Sequence, residues 1–597
     1  MAEDDAKAAA PSPSKTGAGQ LTSWRLTTVI GSLCLGVFLF GLDVNIIAVA
    51  IPHITTEFRS LSDVAWYGSA YMLTLTAFQP LFGNLYKYFN AKVVYLTSLG
   101  VFEVGSAICA AAPTSAILIF GRAWLGLGAA GLLQGALAII GQTVTIDKVP
   151  LFQGIVVSSV AVAVCCGPVI GGALTQYVLS RLVLLDVRQP QVPRRQGELY
   201  FLIAATVISQ PGVCVIVIVL LFVPLGQPSK DANQSLPSRE KFRHMDAPGL
   251  VMFLGAICCL LLALTWGGHT YSWNDRKIIG LFVGFGVLAL CFCYWLVRQG
   301  ELALIPVRVL KKRSVYVGAT TLLGFGVISV VYGYYLPILF QSAQGVSTTE
   351  SGLRYIALVG PQIVSLIIVG GIVSKWGYYV PYMIAGGIIC SVGAGLLTTV
   401  NLSTPTVQWA TYLVLTGIGL GMAGQLPYTA VQAVLEYGLP SIPAQHEKRF
   451  MADLLRPADV ATGNAINVFS FRLAGLTSRS AVGTAIGQAL LIDGLNIAVP
   501  RHTDAVTPAE VIRAGATGLH IVATSPAVLD ALRAAYVDAV RRTIVLGLAG
   551  ICMVVPTACA MEWVNIRRVA EGRLHMQESE RLPAGEPGIP VEKLSDS

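Results

Sequence analysis

Three ionisable residues stand inside apolar runs, where a charge is costly. Asp43 lies in Leu42-Asp43-Val44-Asn45-Ile46-Ile47-Ala48, Glu103 in Phe102-Glu103-Val104-Gly105-Ser106, and Arg122 in Gly121-Arg122-Ala123-Trp124. At the centre of a membrane a charge costs about 2.5–3.5 kcal/mol on insertion scales, so a purposeless one is not expected to persist. Carboxylates in that setting can take up and release protons. Arg122 cannot lose its proton and needs an acid or water beside it. The chemistry these residue types allow is proton exchange beside a fixed positive charge, with Asp43 and Glu103 handling the proton and Arg122 tuning them. Plainer readings stay open: Asp43 as an interfacial helix cap, Glu103 as an acid that only orders the bundle, and Arg122 as a structural cation.

The glycines around these residues point to close helix packing. Gly128, Gly131 and Gly135 follow Arg122 at helical spacing and form a small-residue stripe. Gly167 and Gly171 make a G-x-x-x-G pair, followed by Gly172, with Pro168 inside it as a helix-bending residue. Their expected role is mechanical rather than ligand binding.

The elements that position these residues follow from composition. Of 597 residues 54% are hydrophobic and 12% charged, where soluble domains carry roughly 25% charged. So few charges cannot cover that much apolar surface, and the surplus must face lipid. A helix needs about 20 apolar residues to cross the hydrocarbon. That ruler gives about fourteen runs, at 26–50, 64–84, 93–112, 115–140, 151–175, 199–225, 247–267, 278–297, 314–340, 352–374, 379–400, 407–435, 466–492 and 542–562. Arg472 and Arg479 interrupt the run at 466–492 and make it the weakest. Lys87, Lys92, Lys148, Arg239, Lys311, Lys375 and Arg567 fall on one side of that arrangement, which places both termini in the cytosol. Residues 493–541 are expected to form an outer region, with helical patterns near 508–521 and 526–541.

Other function classes lack their signatures. The net charge of +8 is spread over short loops, not gathered in a basic domain, so nucleic acid is not an expected partner. There is no G-x-x-x-x-G-K-[ST] loop, no H-E-x-x-H cluster and no G-x-S-x-G elbow. The 12 cysteines all lie in apolar stretches, where buried packing is the expectation. No cofactor, metal or catalytic set is implied. A secondary transporter is the simplest reading, a channel the next, and a membrane-embedded enzyme a distant one.

The motifs, in their order, resemble the major facilitator superfamily, and within it the fourteen-span drug–proton antiporters of the fungal toxin and multidrug efflux type. The resemblance rests on Leu42 to Pro52, Asp63-Val64-Ala65-Trp66-Tyr67-Gly68-Ser69-Ala70-Tyr71, Gly121-Arg122 with its glycines, and Gly167-Pro168 through Gly172. The second half adds Tyr335-Leu336-Pro337, Gly417-Ile418-Gly419-Leu420-Gly421 and Gln425-Leu426-Pro427. The superfamily's G-x-x-x-D-[RK]-x-G-[RK]-[RK] pattern would fall on Gly83 to Lys92. There Lys87 holds the acid position and Asn90 replaces the second glycine, which argues against an Asp-based intracellular latch at that place.

The resemblance implies an all-α integral membrane protein of two six-helix bundles, 26–225 and 314–562. A cytosolic loop and two extra spans over 226–313 would join them, with tails at 1–25 and 563–597. It implies alternating-access export of hydrophobic small molecules in exchange for protons, by a monomer in the plasma or vacuolar membrane. Trp66, Tyr71, Tyr332, Tyr335 and Gln425 would contact substrate. Gly83, Lys92, Gly128, Gly167, Pro168, Gly171 and Gly172 would serve packing and conformational change. An importing proton symporter on the same fold is the alternative.

Two stretches break the pattern, 176–210 and 437–456. The first carries Arg181, Arg188, Arg194 and Arg195 on the outer side, where positive charge is disfavoured. They read either as intron sequence translated in the gene or as diverged loops.

Overall fold

The computed structural model describes residues 23–58, 63–186, 212–221, 237–267, 271–346, 348–436, 459–475, 482–515 and 518–571. The chain begins with α1 (Ser23–Phe58), α2 (Val64–Ala77), α3 (Gln79–Tyr88), α4 (Ala91–Ala110), α5 (Ser115–Thr143), α6 (Val149–Asp186) and α7 (Gly212–Leu221). Next come α8 (Ser238–Arg243), α9 (Ala247–Trp266), α10 (Arg276–Gln299) and α11 (Val307–Leu310). The second half contains α12 (Arg313–Gln344), α13 (Thr348–Trp376), α14 (Val380–Leu397), α15 (Thr406–Ala423), α16 (Leu426–Glu436), α17 (Asp459–Gly475) and α18 (Val482–His502). Short α19 (Pro508–Ala514) and α20 (Leu519–Val522) precede α21 (Pro526–Cys552) and α22 (Val554–Cys559). The only β-contact among the described residues is an isolated bridge between Gly267 and Tyr271.

Local chemistry sets the boundaries. Asn90 starts α4 by accepting a hydrogen bond from the Lys92 N–H at 2.9 Å. Pro80 lacks the N–H that would continue the ladder, and the chain breaks at Phe78 between α2 and α3. Gly345, at φ +64°, closes α12 in the left-handed conformation that glycine adopts freely. Asp246, also left-handed at φ 46°, caps α9 and gathers three donors. The Gly249 and Leu304 N–H groups and the Trp295 indole donate to its carboxylate at 3.1, 2.8 and 2.8 Å.

Packing divides the helices into two large cores. One joins α1 through α7, around Leu33, Tyr71, Leu99 and Leu125; the other joins α12 through α22, around Phe325, Tyr332, Leu413 and Val540. The pair α9–α10 packs on α2 and also reaches α17, where the Phe253 and Phe469 rings lie 5.3 Å apart. The halves meet along α3 against α17 and α6 against α13. Gly83 makes the first contact possible, because a Cβ there would lie 2.7 Å from the Ala465 Cβ.

Among the described residues ten helices are single elements long and apolar enough to cross a membrane, and the other four of the fourteen expected runs are broken or only partly described. The run at 64–84 is broken at Phe78, the run at 407–435 divides at Gly424–Gln425, and 466–492 falls on both α17 and α18. Of the run at 199–225, the described part is only Gly212–Leu221. Two expectations need correction: first, the sixth helix continues through Arg181 to Asp186, where the sequence predicts a loop. The remainder of the two off-pattern stretches, 187–210 and 437–456, lies outside the described residues. Second, Cys214, Cys291, Cys293, Cys552 and Cys559 are exposed on the protein rather than packed inside it. An apolar span has two apolar solvents to choose from, and lipid serves a thiol as well as the core does.

Candidate functional site

Asp43 on α1 and Arg122 on α5 form an ion pair of 2.8 Å, with both side chains buried. The rest of the guanidinium is also engaged. Its Nε donates to the Tyr67 carbonyl at 3.0 Å, and its plane lies over the Tyr71 ring at 4.5 Å. Tyr67 and Tyr71 are one turn apart on α2, so a single cation binds three helices together. Gly126 lets α5 approach closely enough, because a Cβ there would overlap the Tyr71 carbonyl. Gly128 does the same against α4, where a Cβ would meet the Phe102 backbone. A buried pair of this kind is weak evidence of stability, since desolvation offsets the attraction. Protonating Asp43 would remove the charge that holds Arg122.

Glu103 is placed apart from that pair. Both its carboxylate oxygens are buried without a hydrogen-bond partner, and it faces Gly212 at the start of α7, where a Cβ would strike the carboxylate. Among the described residues no hydrogen bond or ion pair joins it to Asp43 or Arg122.

The five expected substrate contacts separate. Tyr71 adjoins the ion pair. Trp66 turns to the extra helices, its ring 6.2 Å from Trp266. Tyr332 and Tyr335 belong to the core of the second half. Gly547 packs on the Tyr332 ring, and a Cβ on Gly487 would lie 2.6 Å from the Tyr335 ring. Gln425 is fully buried and donates to the Pro150 and Leu366 carbonyls, each at 3.2 Å, which ties α6 to α13. Its place is a joint between the halves.

The glycines Gly167, Gly171 and Gly172, with Pro168, lie within the continuous helix α6. Lys92 reaches the Leu220 carbonyl at 2.7 Å and so holds the end of α7.

A second ionic site was not foreseen. Lys87 on α3 pairs with Asp459 at 3.0 Å, both buried, at the first turn of α17. Arg308 on α11 takes the other oxygen of Asp459 at 2.6 Å and also pairs with Glu301 at 3.1 Å. Burial strips water from Arg308, yet the charges of Asp459 and Glu301 outweigh that and hold its guanidinium more firmly protonated than usual. An acid at the head of α17 also faces that helix's positive end. The ion pair at this place therefore has the reverse polarity of an Asp-based one: the first half supplies the cation and the second half the acid. The segment following the extra helices supplies the bridge. The sequence signal was Asp459 beginning an apolar helix, unreadable without knowing which loop it faced.

Two helical halves that touch through α3–α17 and α6–α13, with charge buried inside one half and between the two, define a polytopic membrane transport protein. The chain belongs to the Major Facilitator Superfamily, whose sequence profile matches residues 33–441. It is similar to "MFS-type efflux pump MFS1" of Trichophyton rubrum, 37% identical over 94% of this chain and 96% of that protein. It is also similar to "MFS-type transporter astH" of Aspergillus oryzae, 35% identical over 92% of this chain and 88% of that one, and to "Efflux pump roqT" of Penicillium rubens, 35% identical over 92% of each. Among solved structures it shares the fold of the proton:xylose symporter XylE bound to 6-bromo-6-deoxy-D-glucose. The TM-score is 0.53 at 12% identity, covering 92% of this chain and all of that one (100%).

Proposed function

We propose that this protein is a proton-driven exporter of hydrophobic small molecules that works by alternating access. The observation that carries the reading is the desolvated Asp43–Arg122 couple, set in a chain whose relatives are named efflux pumps. A proton arriving from outside neutralises Asp43. Arg122 stays protonated and keeps the Tyr67 carbonyl and the Tyr71 face. That change weakens the α1–α5 tie and releases substrate outward. Glu103, a carboxylate without a hydrogen-bond partner among the described residues, serves as the second proton-handling acid. The force available is about 1.4 kcal/mol per pH unit plus about 2.3 kcal/mol per 100 mV for each proton.

Tyr71 is the substrate contact best supported, since it adjoins the couple. The lysine and arginine distribution supports both termini lying in the cytosol.

Inside-out vesicles carrying the protein test the reading. Acidifying their interior drives accumulation of a hydrophobic fluorescent compound, and a protonophore abolishes it. Accumulation that a protonophore leaves unchanged contradicts proton drive. Flux in the opposite direction supports the importing symporter.

A further inference from the structure

Arg472 takes no part in either ionic site, yet it lies deep in the protein. It sits on α17, thirteen residues beyond Asp459, or about 20 Å along the helix at 1.5 Å per residue. Its guanidinium stacks over Phe40 of α1 at 4.7 Å and lies 5.8 Å from its neighbour Phe471. Tyr71 of α2 and Tyr428 of α16 are within electrostatic reach. Arg472 therefore reaches across the boundary between the halves to the aromatic residues beside Asp43 and Arg122.

It has no acid. Among the described residues Arg472 makes no hydrogen bond or ion pair, and the side chain remains partly exposed. The contrast with Arg122, fully engaged by an acid, a carbonyl and a ring, is plain. Asp43 and Arg122 cancel each other, so among the described residues Arg472 adds one positive charge to this region without an acid paired to it. The Tyr71 hydroxyl, completely buried and without a hydrogen-bond partner, lies in the same region. Arginines inside membranes are expensive, and they pair with acids or line aqueous cavities. A planar guanidinium with free donors, flanked by aromatic faces, suits one ligand chemistry well: a carboxylate or acidic enol attached to a flat, conjugated body.

We propose that Arg472 is a substrate-recognition residue and that the exported compounds are aromatic organic anions. The acidic group meets the guanidinium, and the apolar body lies on Phe40, Tyr71 and Tyr428. This rests on the export reading above. It also fits the energetics of that reading, since an inside-negative potential drives an anion outward while it draws protons in.

The test uses the full-length protein in liposomes with an imposed pH gradient and two probes, a naphthalene carboxylate and its neutral methyl ester. The wild type is expected to transport the carboxylate at least about tenfold faster than the ester, the effect of one charge-assisted hydrogen bond. Arg472→Gln is expected to collapse the carboxylate-to-ester ratio toward one. Arg472→Lys keeps the charge but loses the planar fork, and is expected to give an intermediate ratio. Thermal stabilisation of the detergent-solubilised protein by the carboxylate provides a readout independent of transport, expected for the wild type and lost in Arg472→Gln. A wild type that exports the ester but not the carboxylate overturns this inference and leaves the export reading standing. A wild type that moves neither probe overturns both. A ratio unchanged in Arg472→Gln, with stabilisation retained, shows the arginine to be structural.

Discussion

The protein contains two buried acid–base sites that differ in what they join. Asp43 and Arg122 belong to the same half, and the helices they connect are already held together by a continuous core. Lys87 and Asp459 belong to opposite halves, and the helices they connect meet over a glycine and an alanine. The first pair survives any rigid rocking of one half against the other. The second cannot, because parting α3 from α17 breaks it. We propose that equal burial here serves separate jobs. The intramolecular tie within a half is suited to exchanging a proton, and the tie between halves is suited to holding one conformation until something outweighs it. Arg308 strengthens the distinction, because it joins the Lys87–Asp459 pair from the segment that follows the extra helices.

The sharpest way to break this comparison is Asp43→Asn. It is expected to reduce gradient-driven export to background while expression and α3–α17 contact persist. Export with an unchanged pH dependence would falsify the assignment of Asp43. Next in size is the Lys87–Asp459 pair. Asp459→Asn leaves Lys87 buried and unpaired, a loss of about 3–5 kcal/mol for a broken buried pair, read as a fall in thermal stability. The reversal Lys87→Asp with Asp459→Lys is expected to recover part of it. If the two single changes and the double change cost the same, the pair does not tie the halves together. Smaller is Gly83→Val, where crowding against Ala465 costs about 1–3 kcal/mol and favours separation of α3 from α17. Cysteine labelling at Ala461, in Gly83→Val compared with wild-type background, reads that separation directly. The smallest effect is Glu301→Gln. Arg308 holds both Glu301 and Asp459, but the former is exposed, so its loss costs less than about 1 kcal/mol. Equal losses from Glu301→Gln and Asp459→Asn would remove the distinction between rim and buried charge.

Much of the fold was legible in the sequence because lipid imposes a single rule, and twenty apolar residues satisfy it visibly. The spans that escaped it are those with internal breaks: Pro80 divides the second, and Gly424 and Gln425 interrupt the run at 407–435. Asp43 and Arg122 were legible as costly charges, although 79 positions separate them and only the fold makes them partners. Aromatic residues carry no such marker. Trp66, Tyr332 and Tyr335 stand in apolar runs just as Tyr71 does, and which helix face they occupy is decided by neighbours the sequence does not name. Gln425 illustrates the same limit for polar groups, since a buried amide serves a helix joint as readily as a ligand. Lys87 was read correctly as a departure from the superfamily pattern, but its partner lay 372 positions away.

The proposed export mechanism requires Asp43 to exchange its proton as substrate binds. Purified protein in weakly buffered detergent solution, with a pH-sensitive dye, measures this without membranes or gradients. Substrate added to the wild type is expected to alter proton binding and shift the dye signal, and Asp43→Asn, still binding substrate, is expected to give none. A shift of the same size in Asp43→Asn contradicts the account.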